Sequence, residues 1–372
     1  MLLCQCAYKW WHIKVLDRLL ITGVRNLRPC SLSLSRLNLF YGDNGSGKTS
    51  ILESVHLLAM GKSFRSHQIR KIIQHGQEQC TIFSRLNQGQ QLGILKNIQG
   101  SQILKRDGQI VANMALLTYD LPVQLIDPES MALLDSGTKP RRQLLDWLVF
   151  HVEQNFFTTW QRYQRALLQR NALLKKDKVD DLEWQVWEQE LATNAQSLHQ
   201  MRQRVFGGWL NFVQQACAIL LPQYQLTIEY IVGFDVEQNL QTLWAESREK
   251  DKQRGFTQIG AQRADVQIKT ELGLAEAVLS RGQRKLLVCA LKLAQVAYLN
   301  TYQKKCVVLL DDLSSELDKQ ARSRLLAMLH QLGAQMLITA VEADDIWPTL
   351  LALDGQAKLF HVEQGEVLLQ YG

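Results

Sequence analysis

A chain of 372 residues with 46% hydrophobic content is long enough for one to three packed domains and too apolar to be disordered. Its 42 basic and 36 acidic residues leave a net charge of +6, a mild excess spread along the chain that permits a polyanionic partner without requiring one. Seven cysteines lack the paired spacing of a zinc site or a disulfide framework, and no apolar run approaches the ~20 residues that cross a bilayer, so the expected setting is a reducing cytoplasm without a membrane partner.

Residues 1–12 carry cysteines and aromatics but neither a leading positive charge nor a small-residue cleavage site, and read as an N-terminal extension. Ile13 to Ile21 is expected as a first strand, Gly23 to Leu27 as a turn, and Ser31 to Ser35, with strict Ser/Leu alternation, as a half-buried antiparallel strand. The apolar run Leu37 to Tyr41 then forms a strand, so a small β-meander precedes the loop that follows. After a helix beginning near Ser50, strands are expected at Cys80 to Leu86, Leu92 to Ile98 and Gln109 to Ala112. Composition changes near Leu116, where Leu121-Pro122 and Asp127-Pro128-Glu129 break any long element.

From Lys139-Pro140 to Leu221-Pro222, aromatics and leucines recur at three- and four-residue spacing, with room for three helices and a possible kink at Gly207-Gly208. Tyr224 to Val232 alternates as a strand and Val236 to Lys252 is a helix. Strand signals return at Gln258-Ile259 and Val266 to Ile268. A helix opens at Leu279 to Gln283 and runs to about Leu299. Cys306 to Leu310 is a continuous apolar run, the mark of a strand buried on both faces. A helix over Lys319 to Leu332, a strand over Gln335 to Ala340 and a hairpin over Lys358 to Leu369 complete the sheet.

The loop Gly42-Asp43-Asn44-Gly45-Ser46-Gly47-Lys48-Thr49 fits the P-loop pattern in the strand–loop–helix context that pattern requires. Glycines let backbone N–H groups turn inward around phosphates, and the helix that starts there points its positive end at them. Lys48 then reaches the β- and γ-phosphates of ATP, with the Thr49 hydroxyl on Mg²⁺. Asp311 follows the buried strand at its carboxyl end, where open α/β sheets bind ligands, and is the expected Mg²⁺ partner; Asp312 is placed to orient or deprotonate the attacking water. An Asp pair after a strand is by itself also what a surface turn looks like. Ser280-Arg281-Gly282-Gln283 offers a hydroxyl, a bare backbone and a helix N-terminus to an anion, although an ordinary helix cap has the same composition.

The order P-loop, helical insertion, Ser-x-Gly-Gln, Val-Val-Leu-Leu-Asp-Asp and Leu313-Ser314-Ser315-Glu316-Leu317-Asp318 is that of the ABC and SMC-type ATPases. Within them the chain resembles the RecF family of bacterial recombination and gap-repair proteins over about residues 13 to 370. Gly61-Lys62-Ser63-Phe64-Arg65-Ser66, Pro128-Glu129, Arg141 to Trp147 and Gln169 to Leu174 carry the resemblance. It departs at Gly260-Ala261-Gln262-Arg263-Ala264-Asp265, where that family usually has Gly-Pro-His-Arg-Asp-Asp.

The resemblance implies an α/β fold: an ABC-type P-loop head with a mixed sheet and an antiparallel β-subdomain (13–120 and 256–372), and a mainly helical second lobe (121–255). It implies an ATP-dependent homodimer in which Ser280, Gly282 and Gln283 of one subunit face the γ-phosphate held by the other. Slow ATP hydrolysis, DNA as partner (single-stranded, gapped and duplex, without sequence preference) and RecR- and RecO-like proteins follow from the same likeness. Arg162, Arg165, Arg170, Lys175, Lys176 and Lys178 on the lobe, with Arg65, Arg70 and Lys71 near the P-loop helix, are the candidate DNA contacts. An ABC transporter subunit and a P-loop small-molecule kinase are the rival readings. The missing switch histidine after Ile338-Thr339-Ala340 and the Arg-Arg block count against the first. The Ser280 motif and the Asp pair count against the second.

Overall fold

The structure, a computed structural model, describes residues 15–87, 89–313 and 317–372. The N-terminal extension and Ser314, Ser315 and Glu316 of the last motif lie outside the described residues. The chain forms two compact units, 1–130 with 281–372, and 131–280.

In chain order the first unit runs β1 (Leu16–Thr22), β2 (Cys30–Ser33), β3 (Leu37–Tyr41), α1 (Lys48–Met60), α2 (Ile69–Ile72), β4 (Gln79–Leu86), β5 (Gln91–Asn97), β6 (Gln102–Arg106), β7 (Gln109–Val111), α3 (Met114–Asp120) and β8 (Val123–Ile126). The second unit holds α4 (Ala132–Asp135), α5 (Thr138–Val152), α6 (Phe156–Leu173), α7 (Asp181–Leu220), β9 (Thr227–Ile231), α8 (Leu240–Arg254), β10 (Asp265–Thr270), β11 (Gly273–Leu274) and α9 (Ala275–Val278). The first unit resumes with α10 (Arg281–Thr301), β12 (Val307–Leu310), α11 (Lys319–Gln331), β13 (Gln335–Ala340), α12 (Trp347–Leu353), β14 (Lys358–Glu363) and β15 (Glu366–Tyr371).

Two sheets make the first unit. The antiparallel one has the order β2-β1-β4-β5-β6-β7 and the mixed one β15-β14-β3-β13-β12-β8. In the second, every pairing is parallel except β14 with β15. β1 and β2 pair as a meander would, but β3 leaves them for the mixed sheet. The cause is burial: Leu37 to Phe40 are buried on both faces, as a central parallel strand demands, whereas β2 alternates. α1 lies between the sheets, packing on β4 and β5 of one and β8 and β13 of the other. None of its residues is exposed, and its buried polar groups are bonded: Glu53 to Arg25, and the Ser54 hydroxyl to the Ser50 carbonyl.

Three expectations need correction. A strand, β6, intervenes between β5 and β7; only Leu104 of it is buried, so no period shows in its sequence. β8 was hidden between Pro122 and Pro128, because a four-residue strand gains its identity from the distant partner β12, with Leu310 beside Ile126. Gln258-Ile259 is not a strand: Gln258 bonds to Asp251, and the Ile259 carbonyl accepts from the Trp244 indole at 2.9 Å.

The second unit contains the expected three helices, α5 to α7, and α7 passes through Gly207-Gly208 without a break. Its interior is unusually polar. Arg141 makes a two-pronged bond to Asp265 (2.8 and 2.8 Å), and Arg202 does the same to Asp146 (2.7 and 3.0 Å) while donating to the Ala261 carbonyl. Arg170, fully buried, bonds Glu188, Asp251 and Thr257, while Asn171 accepts from the Thr257 amide. The Arg-Arg and Gln-Arg-Asn blocks therefore hold the 257–265 segment to the helices. Gln262 is satisfied within this network: it accepts from the Tyr163 hydroxyl and donates to the Thr257 carbonyl.

Candidate nucleotide site

The site is assembled at the carboxyl ends of the parallel strands. β3 ends at Tyr41 and the chain turns at once into the loop, with Gly42 at φ +145° and Gly47 at φ +120°. Both positions exclude a side chain. A Cβ on Gly42 would lie 2.2 Å from the Val362 carbonyl oxygen, and one on Gly47 would lie 2.9 Å from Leu27. α1 starts at Lys48, leaving its first backbone N–H groups without intrahelical partners at the mouth of the loop. The Asn26 side chain donates to the Gly45 carbonyl at 2.9 Å and steadies the loop from outside.

Lys48 is almost wholly buried, and its ammonium donates to the carbonyls of Gly42 (2.7 Å) and Asp43 (2.8 Å). Burial pushes its pKa down; the neighbouring Asp312, Asp311 and Asp43 partly offset this. On the next residue, the Thr49 hydroxyl donates to Asp311 Oδ1 at 2.9 Å. The register that sets Leu310 beside Ile338 also sets Asp311 beside Thr339, whose hydroxyl donates to the same oxygen at 2.8 Å. Burial raises the Asp311 pKa, and the two hydroxyls act against that shift. Asp312 adopts φ +50° and its backbone N–H donates to Thr339 Oγ1 at 2.8 Å.

These residues surround a cavity of about 550 Å³. Asn44, Gly45, Gly47, Lys48 and Thr49 line it together with Asp311 and Asp312. Gly42, Asp43 and Ser46 of the loop do not. Gly282 and Gln283 do not line it either; they open α10 in the same unit, while the exposed Ser280 closes the second unit. Five cationic side chains, Arg25, Lys48, Arg65, Arg70 and Lys71, face two carboxylates in the lining. A polyphosphate suits that balance, and the hydroxyl–carboxylate pair of Thr49 and Asp311 suits a divalent cation bound beside it.

Sequence reasoning missed Arg25, Asn26 and Thr339. Arg25 is held by a two-pronged bond to Glu53 (2.9 and 2.7 Å), a fully buried carboxylate that also accepts from Ser63. In sequence Arg25 and Asn26 are only part of a turn, and Thr339 only the end of a strand. Their roles depend on partners far along the chain. Arg170, expected among the DNA contacts, is corrected: it is fully buried and ion-paired to Glu188 and Asp251, and no phosphate reaches it. Arg162, Arg165, Lys175, Lys176 and Lys178 are exposed.

The family model of the RecF/RecN/SMC N terminal domain matches residues 15–366. A DNA replication and repair protein RecF from Acinetobacter baylyi is 45% identical over 354 residues, covering 95% of this chain and 99% of its own. The chain belongs to the RecF family. A second RecF of the same description, from Pseudomonas paraeruginosa, is 42% identical over 361 residues, covering 95% of this chain and 97% of its own. Among solved structures, the recombination mediator protein RecF with ATP, described as part of the RecFOR pathway, superposes with a TM-score of 0.85 at 22% identity over 98% of this chain and 99% of that one. An Smc head bound to the C-winged helix domain of ScpA gives 0.58 at 12% identity, over 96% and 97%. The RecF fold is thus an SMC-type ATPase head with a helical second unit, as the order of motifs implied.

Proposed function

We propose that this RecF-family chain is an ATP-gated DNA-binding protein of replication and recombinational gap repair. The observation that carries the reading is the Thr49–Asp311 bond at the mouth of a cationic P-loop cavity. It joins the two motifs that hold a nucleotide and its metal in P-loop ATPases. ATP takes the cavity, with its β- and γ-phosphates on the loop amides and Lys48. The Thr49 hydroxyl and the Asp311 carboxylate would hold Mg²⁺, which when bound would neutralise charge on the phosphates.

Asp312, next to Asp311, orients the attacking water. It is one methylene shorter than the Glu usual in such ATPases, and turnover is slow. Two copies close over ATP, each presenting Ser280, Gly282 and Gln283 to the other's γ-phosphate, and the closed pair holds DNA through backbone phosphates without reading bases. RecO- and RecR-like proteins are its partners in loading recombinase at gaps, and it works in the cytoplasm. Among the described residues, no helix is long and apolar enough to cross a membrane. A transporter subunit or a small-molecule kinase finds no support in the family match.

Sizing the chain with ATP, with ADP and as Lys48→Met tests the central step. A dimer is expected with ATP and intact Lys48 alone. A dimer that forms equally with ADP, or a monomer under every condition, overturns the gate.

A further inference from the structure

The P-loop has two sides, and only one faces the nucleotide cavity. On the other, Gly42, Asp43 and Ser46 join Tyr41, the residues that follow β13, and β14 around a second cavity of about 690 Å³. Its charge is opposite. Asp43, Glu342, Asp344 and Glu363 line it and no lysine or arginine does, while the first cavity holds five cations. Aromatic faces complete the wall: Trp347 lines it, and the rings of Tyr41 and His361 lie 4.9 Å apart.

Ser46 faces this side too. The residue is 7% exposed, and its hydroxyl has no hydrogen-bond partner among the described residues. A buried hydroxyl in that state is costly unless a group entering the cavity satisfies it. Carboxylates and aromatic faces, with an unpaired hydroxyl buried in the wall, describe a site for guanidinium or ammonium groups.

The chain carries such groups where the pairing needs them. α10 contains no acidic residue, and its first five positions include Arg281, Arg284 and Lys285. The helix's N-terminal end adds to their positive field. Arg281 and Lys285, four residues apart, share one face. An acidic cavity beside the phosphates attracts this end of a helix. We infer that the acidic, aromatic cavity on the outer side of the P-loop receives the basic first turn of α10 from a second copy of the chain. The assignment rests on the ATP-dependent pairing proposed above and gives it a second contact, distinct from the γ-phosphate.

Charge reversal with mixing tests it. One variant carries Glu342→Lys and Asp344→Lys, the other Arg281→Glu and Lys285→Glu; each is sized by sedimentation with a slowly hydrolysed ATP analogue, alone and in equal mixture. Alone, each sets like charges together at both contacts and dimerises about tenfold more weakly, or worse, than the unaltered chain. In the mixture, the heterodimer joins reversed cavity to reversed helix at one contact and the unaltered pair at the other, so the dimer returns. Unchanged binding of a fluorescent ATP analogue shows that each variant is folded. An unaltered chain that stays monomeric overturns the pairing itself. Variants that dimerise as well as the unaltered chain, or a mixture no better than either variant alone, overturn the cavity assignment and leave the pairing intact.

Discussion

Thr339 and Asp312 are joined by one hydrogen bond, from the Asp312 backbone N–H to the Thr339 hydroxyl at 2.8 Å, and the same hydroxyl donates to Asp311 Oδ1 at 2.8 Å. One side chain therefore sets both members of the Asp pair. It ends the strand after which transporter ATPases carry a switch histidine, and here it holds the carboxylate proposed above for Mg²⁺.

Removing that hydroxyl separates positioning from binding. Thr339→Val is expected to leave ATP affinity near its original value while kcat falls roughly 10- to 100-fold, because small displacements of reacting groups cost that much. Stability should drop by about 1–3 kcal/mol for the polar groups left without a partner. Thr339→Ser should recover most of both. Equal kcat for the Val and unaltered chains, measured at saturating ATP, would show that the Asp pair needs no such support.

Asp311 should be a liability to the empty protein. Burial raises its pKa in the folded state, so below the ordinary carboxylate range both folded and unfolded chains hold the proton and nothing is lost. As pH rises through the raised value, the folded chain must carry a buried charge that the unfolded chain solvates freely, and stability falls. Asp311→Asn should therefore be more stable than the unaltered chain at neutral pH and equal to it in acid, while Mg²⁺-dependent hydrolysis drops about 100-fold or more. Urea titrations of both chains at two pH values give the answer; a destabilised Asn variant at pH 7 would contradict the sign.

Arg170 belongs to the fold. Arg170→Met leaves Asp251 buried without its cation and Glu188 with Arg248 alone, at 3.4 Å, a loss of about 3–5 kcal/mol. Thermal unfolding followed by circular dichroism should register it, and DNA affinity of the folded fraction should keep its salt dependence. A shallower salt slope with unchanged stability would return Arg170 to the DNA surface.

Arg162 and Lys175, exposed on the helical unit, are the opposite case. Neutralising both should leave stability unaltered and reduce the slope of log affinity against log salt by about 0.9 per phosphate contact on duplex DNA. Titrations at two salt concentrations suffice, and an unchanged slope removes these two from the path of the DNA.

What could be read from the chain alone was whatever local chemistry forces. The spacing of Gly42, Gly45 and Gly47 before Lys48-Thr49 marks a phosphate loop, and the unbroken apolar run Cys306 to Leu310 before Asp311 marks a strand buried on both faces. The elements that escaped, β6 and β8, are short and take their identity from neighbours in space. Arg25, Asn26 and Thr339 escaped for the same reason: a turn residue and a strand-end hydroxyl carry no signal until Glu53, Gly45 and Asp311 are brought beside them. Arg170 was misjudged because a basic residue on an amphipathic helix looks solvated, and only α7 and α8 reveal the acids waiting behind it.

The helix that follows the P-loop has no free face. With a sheet pressed on each flank, it cannot tilt or withdraw, and the loop amides it carries are anchored whether or not a triphosphate is present. Arg65, Arg70 and Lys71 of the cavity lining are exposed, so the side of the cavity they form has the freedom that the cradle lacks.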